Sequence, residues 1–219
     1  MKAIILESYG GPEVLKLASL PDPEPGPGEV RIRIKAAGVN PVDVKIRKGL
    51  LVTRMPNIFP IIPGYDAAGV VDAVGAGVSA FKPGDAVFAY CRKSVIQFGT
   101  YAEYVCVPAT SVAAKPASMD FIEAGSVPLA ALTAWQCLFD AAGLRKGQTI
   151  LIQAGAGGVG GFAIQFAKHT GARVIATASA QNHAYVKSLG ADEVIDYTSV
   201  DFRGAVKRLV PGGVDVAYD

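Results

Sequence analysis

QTILIQAGAGGVGGFAIQFAKHTGARVIATAS, residues 148–179, is the stretch whose reading decides the fold. Its apolar run Thr149–Gln153 reads as a strand, Val159–His169 as a helix, and Arg173–Ala178 as a second strand. Between the first strand and the helix, Gly155, Gly157 and Gly160 complete a G-x-G-x-x-G turn. Each glycine has its own physical reason there. Gly155 permits the tight turn, Gly157 lets backbone approach a pyrophosphate, and Gly160 lets helix and strand pack closely. The first amides of the helix carry no intrahelical partner and a partial positive charge, which suits phosphate. Gly155, Ala156, Gly157, Gly158, Val159 and Gly160 are therefore expected to cradle a dinucleotide. A bare glycine motif is a weak signal, but a strand before it and a helix after it supply the required context.

The end of the second strand selects the dinucleotide. An NAD site places an acid there to hold the ribose 2′-hydroxyl. Here the strand ends Ala176-Thr177-Ala178-Ser179, with no acid to repel a 2′-phosphate and with Ser179 available as a donor. The sequence thus favours NADPH. Asn182, His183 and Lys187 are the local candidates for a polar or positive partner, and Ser179 can equally be read as an N-cap.

Working outward, strand and helix keep alternating: Asn182–Leu189 helical, Glu193–Asp196 extended, Phe202–Val210 helical, Val214–Tyr218 extended. Such alternation predicts a parallel sheet with helices on its faces. Val214–Tyr218 is expected beside the first strand. A six-stranded dinucleotide fold needs two further βα units, on the order of 60 residues, so the doubly wound sheet is expected to be incomplete and the chain truncated. Upstream, residues 121–144 read as helical. The first ~120 residues read as β-rich, with strands at Lys2–Leu6, Val14–Leu20, Glu29–Ala37, Ala67–Val74, Ala86–Ala89 and Tyr101–Val107. One helix is expected after Asn40, with Pro41 first and Asp43 as its early acid. The expected domains are 1–122 and 123–219.

Composition excludes several functions. The 219 residues carry 21 Lys and Arg against 19 Asp and Glu, with no like-charge cluster, which disfavours nucleic acid as a partner. Three separated cysteines, Cys91, Cys106 and Cys137, form no CxxC pair and fit a reduced, cytoplasmic protein better than a disulfide framework. The start reads as a strand rather than a signal peptide, and no stretch reads as a membrane span. Both histidines, His169 and His183, lie in the last quarter, so no His base or ligand exists in residues 1–168.

Five segments together resemble the zinc-free quinone oxidoreductase branch of the medium-chain dehydrogenase/reductases: AAGVNPVDVKIRKG (36–49), PIIPGYDAAGVVDAVG (60–75), FKPGDAVFA (81–89), SVPLAALTAWQCL (126–138) and GQTILIQAGAGGVGGFAIQFAK (147–168). The resemblance implies an α/β protein with a GroES-like β-rich catalytic domain followed by a Rossmann domain, and a homodimeric parent. Where zinc-bearing relatives place a Cys and a His, this sequence has Asn40 and Tyr65, so no metal is expected. Before Gly-Gly the family's signature usually has two residues that are Ser or Ala; here they are Gly155 and Ala156, a mild departure.

Without a Lewis acid an alkoxide goes unstabilised, whereas hydride transfer to a quinone or to the β-carbon of an enone needs only hydrogen-bond donors at the distal oxygen. A zinc-independent, NADPH-dependent quinone or enone oxidoreductase is the expected function, and a non-catalytic NADPH-binding protein the alternative. Tyr65 is a candidate donor, or a strand-end aromatic. Asn40 is a candidate for orienting substrate, or an N-cap. The resemblance places Lys45 near the nicotinamide ribose or substrate, Thr133 near the nicotinamide and Tyr197 near the 2′-phosphate. Lys45 as a solvated lysine and Thr133 as a helix-interior residue are the competing readings.

Overall fold

The computed structural model describes residues 1–219 and divides into two compact units, Met1–Leu129 and Ala130–Asp219. In the first unit, β1 (Lys2–Ile5) and β2 (Lys16–Ser19) form an antiparallel pair. A five-stranded antiparallel sheet follows from β3 (Glu29–Gly38), β5 (Asp66–Val74), β6 (Ala86–Tyr90), β8 (Tyr104–Pro108) and β9 (Val112–Ala114), in spatial order β8-β3-β5-β6-β9. Alternation along β3 and its neighbours sends Val30, Ile32, Ala67, Val71, Val87 and Val105 into one core. β4 (Asn57–Ile62) and β7 (Ile96–Phe98) make a separate parallel pair.

Helix α1 (Pro41–Arg47) begins as its sequence requires. Asn40 is extended at the N-cap, Pro41 loses no hydrogen bond at the first position, and Asp43 accepts the Asn40 N–H at 2.8 Å. The region read as one helical stretch, 121–144, is three pieces. These are α2 (Phe121–Gly125), α3 (Pro128–Trp135) and a π-helical turn, Gln136–Ala141. Pro128 is the reason for the first break, since it has no N–H to continue α2. Asp120 and Glu123 start α2 with a reciprocal capping box. The division into units falls at Leu129, beyond the expected 122, because α2 belongs with the first unit.

The second unit is a four-stranded parallel sheet, β12 (Glu193–Ile195), β11 (Arg173–Thr177), β10 (Thr149–Ile152) and β13 (Val216–Tyr218), in that spatial order. The reversal between β10's two neighbours is the crevice-forming topology of dinucleotide folds. As expected, the last strand pairs with the first, Ile150 opposite Val216 and Ile152 opposite Tyr218. Helix α4 (Gly158–Thr170) buries Gly160, Ala163, Ile164 and Ala167, a 3.6-residue stripe against the sheet. Gly171, in the left-handed conformation, ends it. Helices α5 (His183–Ser188) and α6 (Phe202–Leu209) complete the unit. No helix is long and apolar enough to cross a membrane.

Three expectations shift. Residues 12–14 form a single 3₁₀ turn rather than the start of β2, and β8 starts at Tyr104 rather than Tyr101. β4, β7 and β9 are strands the sequence reading did not contain. β4 holds Pro60, and Pro argues against a central strand, yet a two-stranded ribbon with a shifted register accommodates it.

Candidate active site and nucleotide site

In the first unit the N-terminus of α1 organises the chemistry. Asn40 Nδ2 donates to Asp66 Oδ2 at 2.8 Å, and Asp66 Oδ1 accepts from the Leu129 N–H at 2.8 Å. Asp66 is 1% exposed. Burial pushes its pKa up, while the Asn40 amide and the Leu129 N–H pull it back. The Asn40 side chain is thereby held by a buried carboxylate and is not spent on capping alone. Asn40 and Lys45 line one open depression of about 550 Å³, together with Val39, Val44, Lys48 and Leu50. Two lysines on an otherwise apolar wall suit a ligand with negative oxygen at one end. Lys48 and Leu50 were not among the sequence candidates, although the three-residue spacing from Lys45 to Lys48 puts both on one helix face.

Tyr65 lies elsewhere. It is 4% exposed, packed with Leu6, Ile46, Ile61 and Ile96, and meets Tyr90 edge-on at 5.9 Å. Its hydroxyl is sealed from solvent with no hydrogen-bond partner. Burial pushes its pKa up to about 12, with Tyr90 adding and Arg92 opposing. The structure therefore brings Asn40 and Lys45 together and sets Tyr65 in the neighbouring core. Asp43, 4% exposed, accepts from Asn40 N and from the Tyr101 hydroxyl at 3.0 Å. Burial is again what raises its pKa, opposed by Asn40, Tyr101 and the Gly64 backbone.

In the second unit the glycine turn is anchored to β11. Ala154 N–H donates to Thr177 Oγ1 at 3.1 Å and Gly155 N–H to Thr177 O at 2.9 Å. The residue with positive φ in the turn is Ala154, at 51°, and not Gly155. Gly155 is required for another reason: a Cβ there would meet Ala176 Cβ at 3.0 Å and Ile164 Cδ1 at 3.1 Å. Gly160 has the packing role expected of it, since a Cβ would lie 2.3 Å from Ala154 O. At Gly157 the nearest atom is Ala154 O at 3.2 Å, and at Gly158 only Ala130 Cβ at 3.9 Å. Open space over Gly158, at the N-terminus of a 13-residue helix, fits a pyrophosphate. Ala156 and Val159 pack partly against the unit's core.

At the far end of β11, Ser179 Oγ accepts from Asn182 Nδ2 at 3.1 Å, which leaves its own proton for an acceptor. His183 Nε2–H donates to Ala178 O at 3.1 Å, holding the imidazole beside Ser179. Ser179 and Tyr197 each lie two residues beyond the paired Thr177 and Ile195, and the Tyr197 ring is exposed. Asp196, unremarked in the sequence, stands next to Tyr197. The Thr198 hydroxyl and N–H, at 2.6 and 2.9 Å, hold its carboxyl below the usual range. Thr133 is half-buried on α3.

A GroES-like antiparallel unit followed by a parallel sheet with a glycine-rich turn at a helix N-terminus defines a class: this chain belongs to the medium-chain dehydrogenase/reductase superfamily. Residues 26–117 match the alcohol dehydrogenase GroES-like domain family, and residues 158–219 the zinc-binding dehydrogenase family. Among individual proteins, the chain is 43% identical to 2-methylene-furan-3-one reductase of Solanum lycopersicum, over 100% of this chain and 56% of that protein. It is 42% identical to the chloroplastic NADPH-dependent alkenal/one oxidoreductase of Arabidopsis thaliana, over 100% of this chain and 57% of that one. A solved NAD-dependent alcohol dehydrogenase superposes with TM-score 0.91 at 44% identity, covering 99% of this chain and 70% of the other. The chain spans a little over half the length of the two plant relatives.

Because one matching family is described as zinc-binding, the donor set around Asn40 matters. It offers the Asn40 amide and one carboxylate, Asp66, already accepting two hydrogen bonds. No three His, Cys, Asp or Glu side chains converge to hold a metal ion. An amide and one already satisfied carboxylate do not fit zinc, which takes several thiolate, imidazole or carboxylate ligands.

Proposed function

We propose that the chain is the catalytic and nucleotide-binding part of an NADPH-dependent, zinc-independent reductase of quinones or α,β-unsaturated carbonyls. The observation that carries the reading is the Asn40–Asp66 pair beside Lys45, a preorganised donor set where a zinc enzyme needs metal ligands. NADPH, when bound, supplies the hydride. Gly157 and Gly158 present backbone amides to its pyrophosphate, and Ser179, His183 and Tyr197 face the 2′-phosphate. Asn40 and Lys45 donate to the acceptor's oxygen as negative charge develops there. Tyr65 serves as a donor only if its hydroxyl is left unpaired for substrate. Thr133 is assigned to the nicotinamide end. The three free cysteines favour a reducing compartment such as the cytoplasm.

The test is steady-state turnover of a quinone and an enone with NADPH or NADH, and of a primary alcohol with NADP⁺ or NAD⁺. Reduction of quinone or enone with NADPH, unaffected by a chelator, is the expected result. Alcohol oxidation with NAD that a chelator abolishes would overturn the reading, and NADPH binding without turnover of any acceptor would point to a non-catalytic role.

A further inference from the structure

Asp66 is the first residue of β5, in register with Gly38 on β3 and with Tyr90 on β6. Gly38 leaves the room its carboxylate needs: a Cβ there would lie 2.9 Å from Asp66 Oδ2 and 2.7 Å from Gly125 O. Both carboxylate oxygens are used, Oδ2 accepting from Asn40 Nδ2 and Oδ1 from the Leu129 N–H, each at 2.8 Å. A carboxylate only accepts, so it dictates which end of the Asn40 amide turns towards it. Asp43 already holds the Asn40 backbone N–H at 2.8 Å, and Asp66 fixes the side-chain rotation that remains. One Nδ2 hydrogen is left to serve the depression that Asn40 lines.

We propose that Asp66 is a positioning residue for the reduction, acting through Asn40 rather than on the substrate. It holds the amide so that the second Nδ2 hydrogen meets the acceptor's oxygen. The inference rests on the reductase reading, with Asn40 as a donor. Asp66→Asn has one acceptor oxygen for two donors. When that oxygen serves Leu129, the new NH₂ faces Asn40 and turns its amide over, carrying the hydrogens away from the acceptor. By charge alone the same substitution should help a developing oxyanion, because it removes a buried anion nearby. Positioning and bulk electrostatics therefore differ in sign.

The experiment measures the affinity of the full chain for para-nitrophenolate, an oxyanion whose absorbance reports binding, alongside kcat and KM for a quinone and an enone. Asp66→Asn and Asn40→Ala should each weaken phenolate binding about tenfold, and the two together no more than either alone. In Asp66→Asn, kcat should fall while KM for NADPH stays unchanged. Exchanging the groups, Asn40→Asp with Asp66→Asn, rebuilds the buried hydrogen bond with donor and acceptor reversed. That exchange should restore the melting temperature lost in Asp66→Asn but not the phenolate affinity. No phenolate binding by the wild type, binding unchanged or strengthened in either single variant, additive losses, or affinity recovered by the exchange would each overturn the proposal. Turnover separates it from the reading beneath it. A wild type that shows the coupled phenolate losses but reduces no acceptor overturns the reductase reading and leaves the positioning of Asn40 standing. Undiminished kcat in Asp66→Asn overturns the positioning and leaves the reductase reading standing.

Discussion

Tyr65→Phe separates two roles that the structure makes opposite in sign. The hydroxyl is buried at a residue only 4% exposed and has no partner. An unsatisfied buried hydroxyl costs about 1–3 kcal/mol relative to water. Phe removes that penalty and keeps the edge-on contact with Tyr90. Losing one oxygen's volume and dispersion contacts returns a few tenths of a kcal/mol. The net expectation is a gain of about 1 kcal/mol in the first unit, or roughly 3–5 °C in its melting temperature. Scanning calorimetry, with urea unfolding followed by near-ultraviolet circular dichroism, measures it. Trp135, the one tryptophan, lies in the second unit, so its fluorescence reports that unit separately. A loss of 1 kcal/mol or more would refute the reasoning, since it would mean the hydroxyl is bonded in solution. If stability rises and turnover falls, the unpaired hydroxyl is held for substrate. If stability rises and turnover is unchanged, Tyr65 is a core aromatic and leaves the donor set.

Other substitutions probe the remaining claims. Gly160→Ala should destabilise the second unit by about 2 kcal/mol or more through its clash with Ala154 O, whereas Gly158→Ala should leave stability nearly unchanged and weaken NADPH binding; equal unfolding midpoints for both would contradict the assignment. Ser179→Asp should bring NADPH affinity down by about tenfold or more relative to NADH by titration, an unchanged ratio counting against the 2′-phosphate site. Ala178, one residue earlier, is 3% exposed and part of the core, so an acid there would be buried. Acid should act differently on the two units. Asp43 and Asp66 have folded pKa values raised above the ordinary 3.8, so they bind protons more tightly when folded; their contribution to stability falls as pH rises through the window above 3.8 and is recovered on acidification. For Asp192, burial is outweighed by Lys168 and the Val174 N–H and the pKa is lowered, so its contribution is present above 3.8 and lost as pH falls through the folded value. Asp43→Asn with Asp66→Asn should remove the first trend without altering the second, as followed by separate unfolding signals from the two units.

How much of this was legible in the sequence depends on whether a feature is written locally. The second unit was, because βα alternation, a glycine turn and an early Pro or late Gly are local statements, and they gave its strands and helices to within a residue or two. Asn40, Pro41 and Asp43 announced α1 for the same reason. Short or proline-bearing strands were not legible: three residues at Ile96–Phe98 cannot show a period, and Pro60 argues against the strand that holds it. Nor could a spacing rule find Asp66 as the partner of Asn40, 26 residues away, because that hydrogen bond exists only once β5 lies beside β3. The same long-range packing moves Tyr65 from a promising pocket aromatic into a core position. It also shows that the left-handed residue of the nucleotide turn is an alanine. Glycine at 155 answers to its neighbours Ala176 and Ile164 rather than to its own backbone, so the motif's glycines are spaced partly by what packs against them. A motif read as ligand chemistry is thus partly a packing requirement: Gly157 too stands close to Ala154 O, and in the turn only Gly158 is a glycine where a Cβ would meet almost nothing.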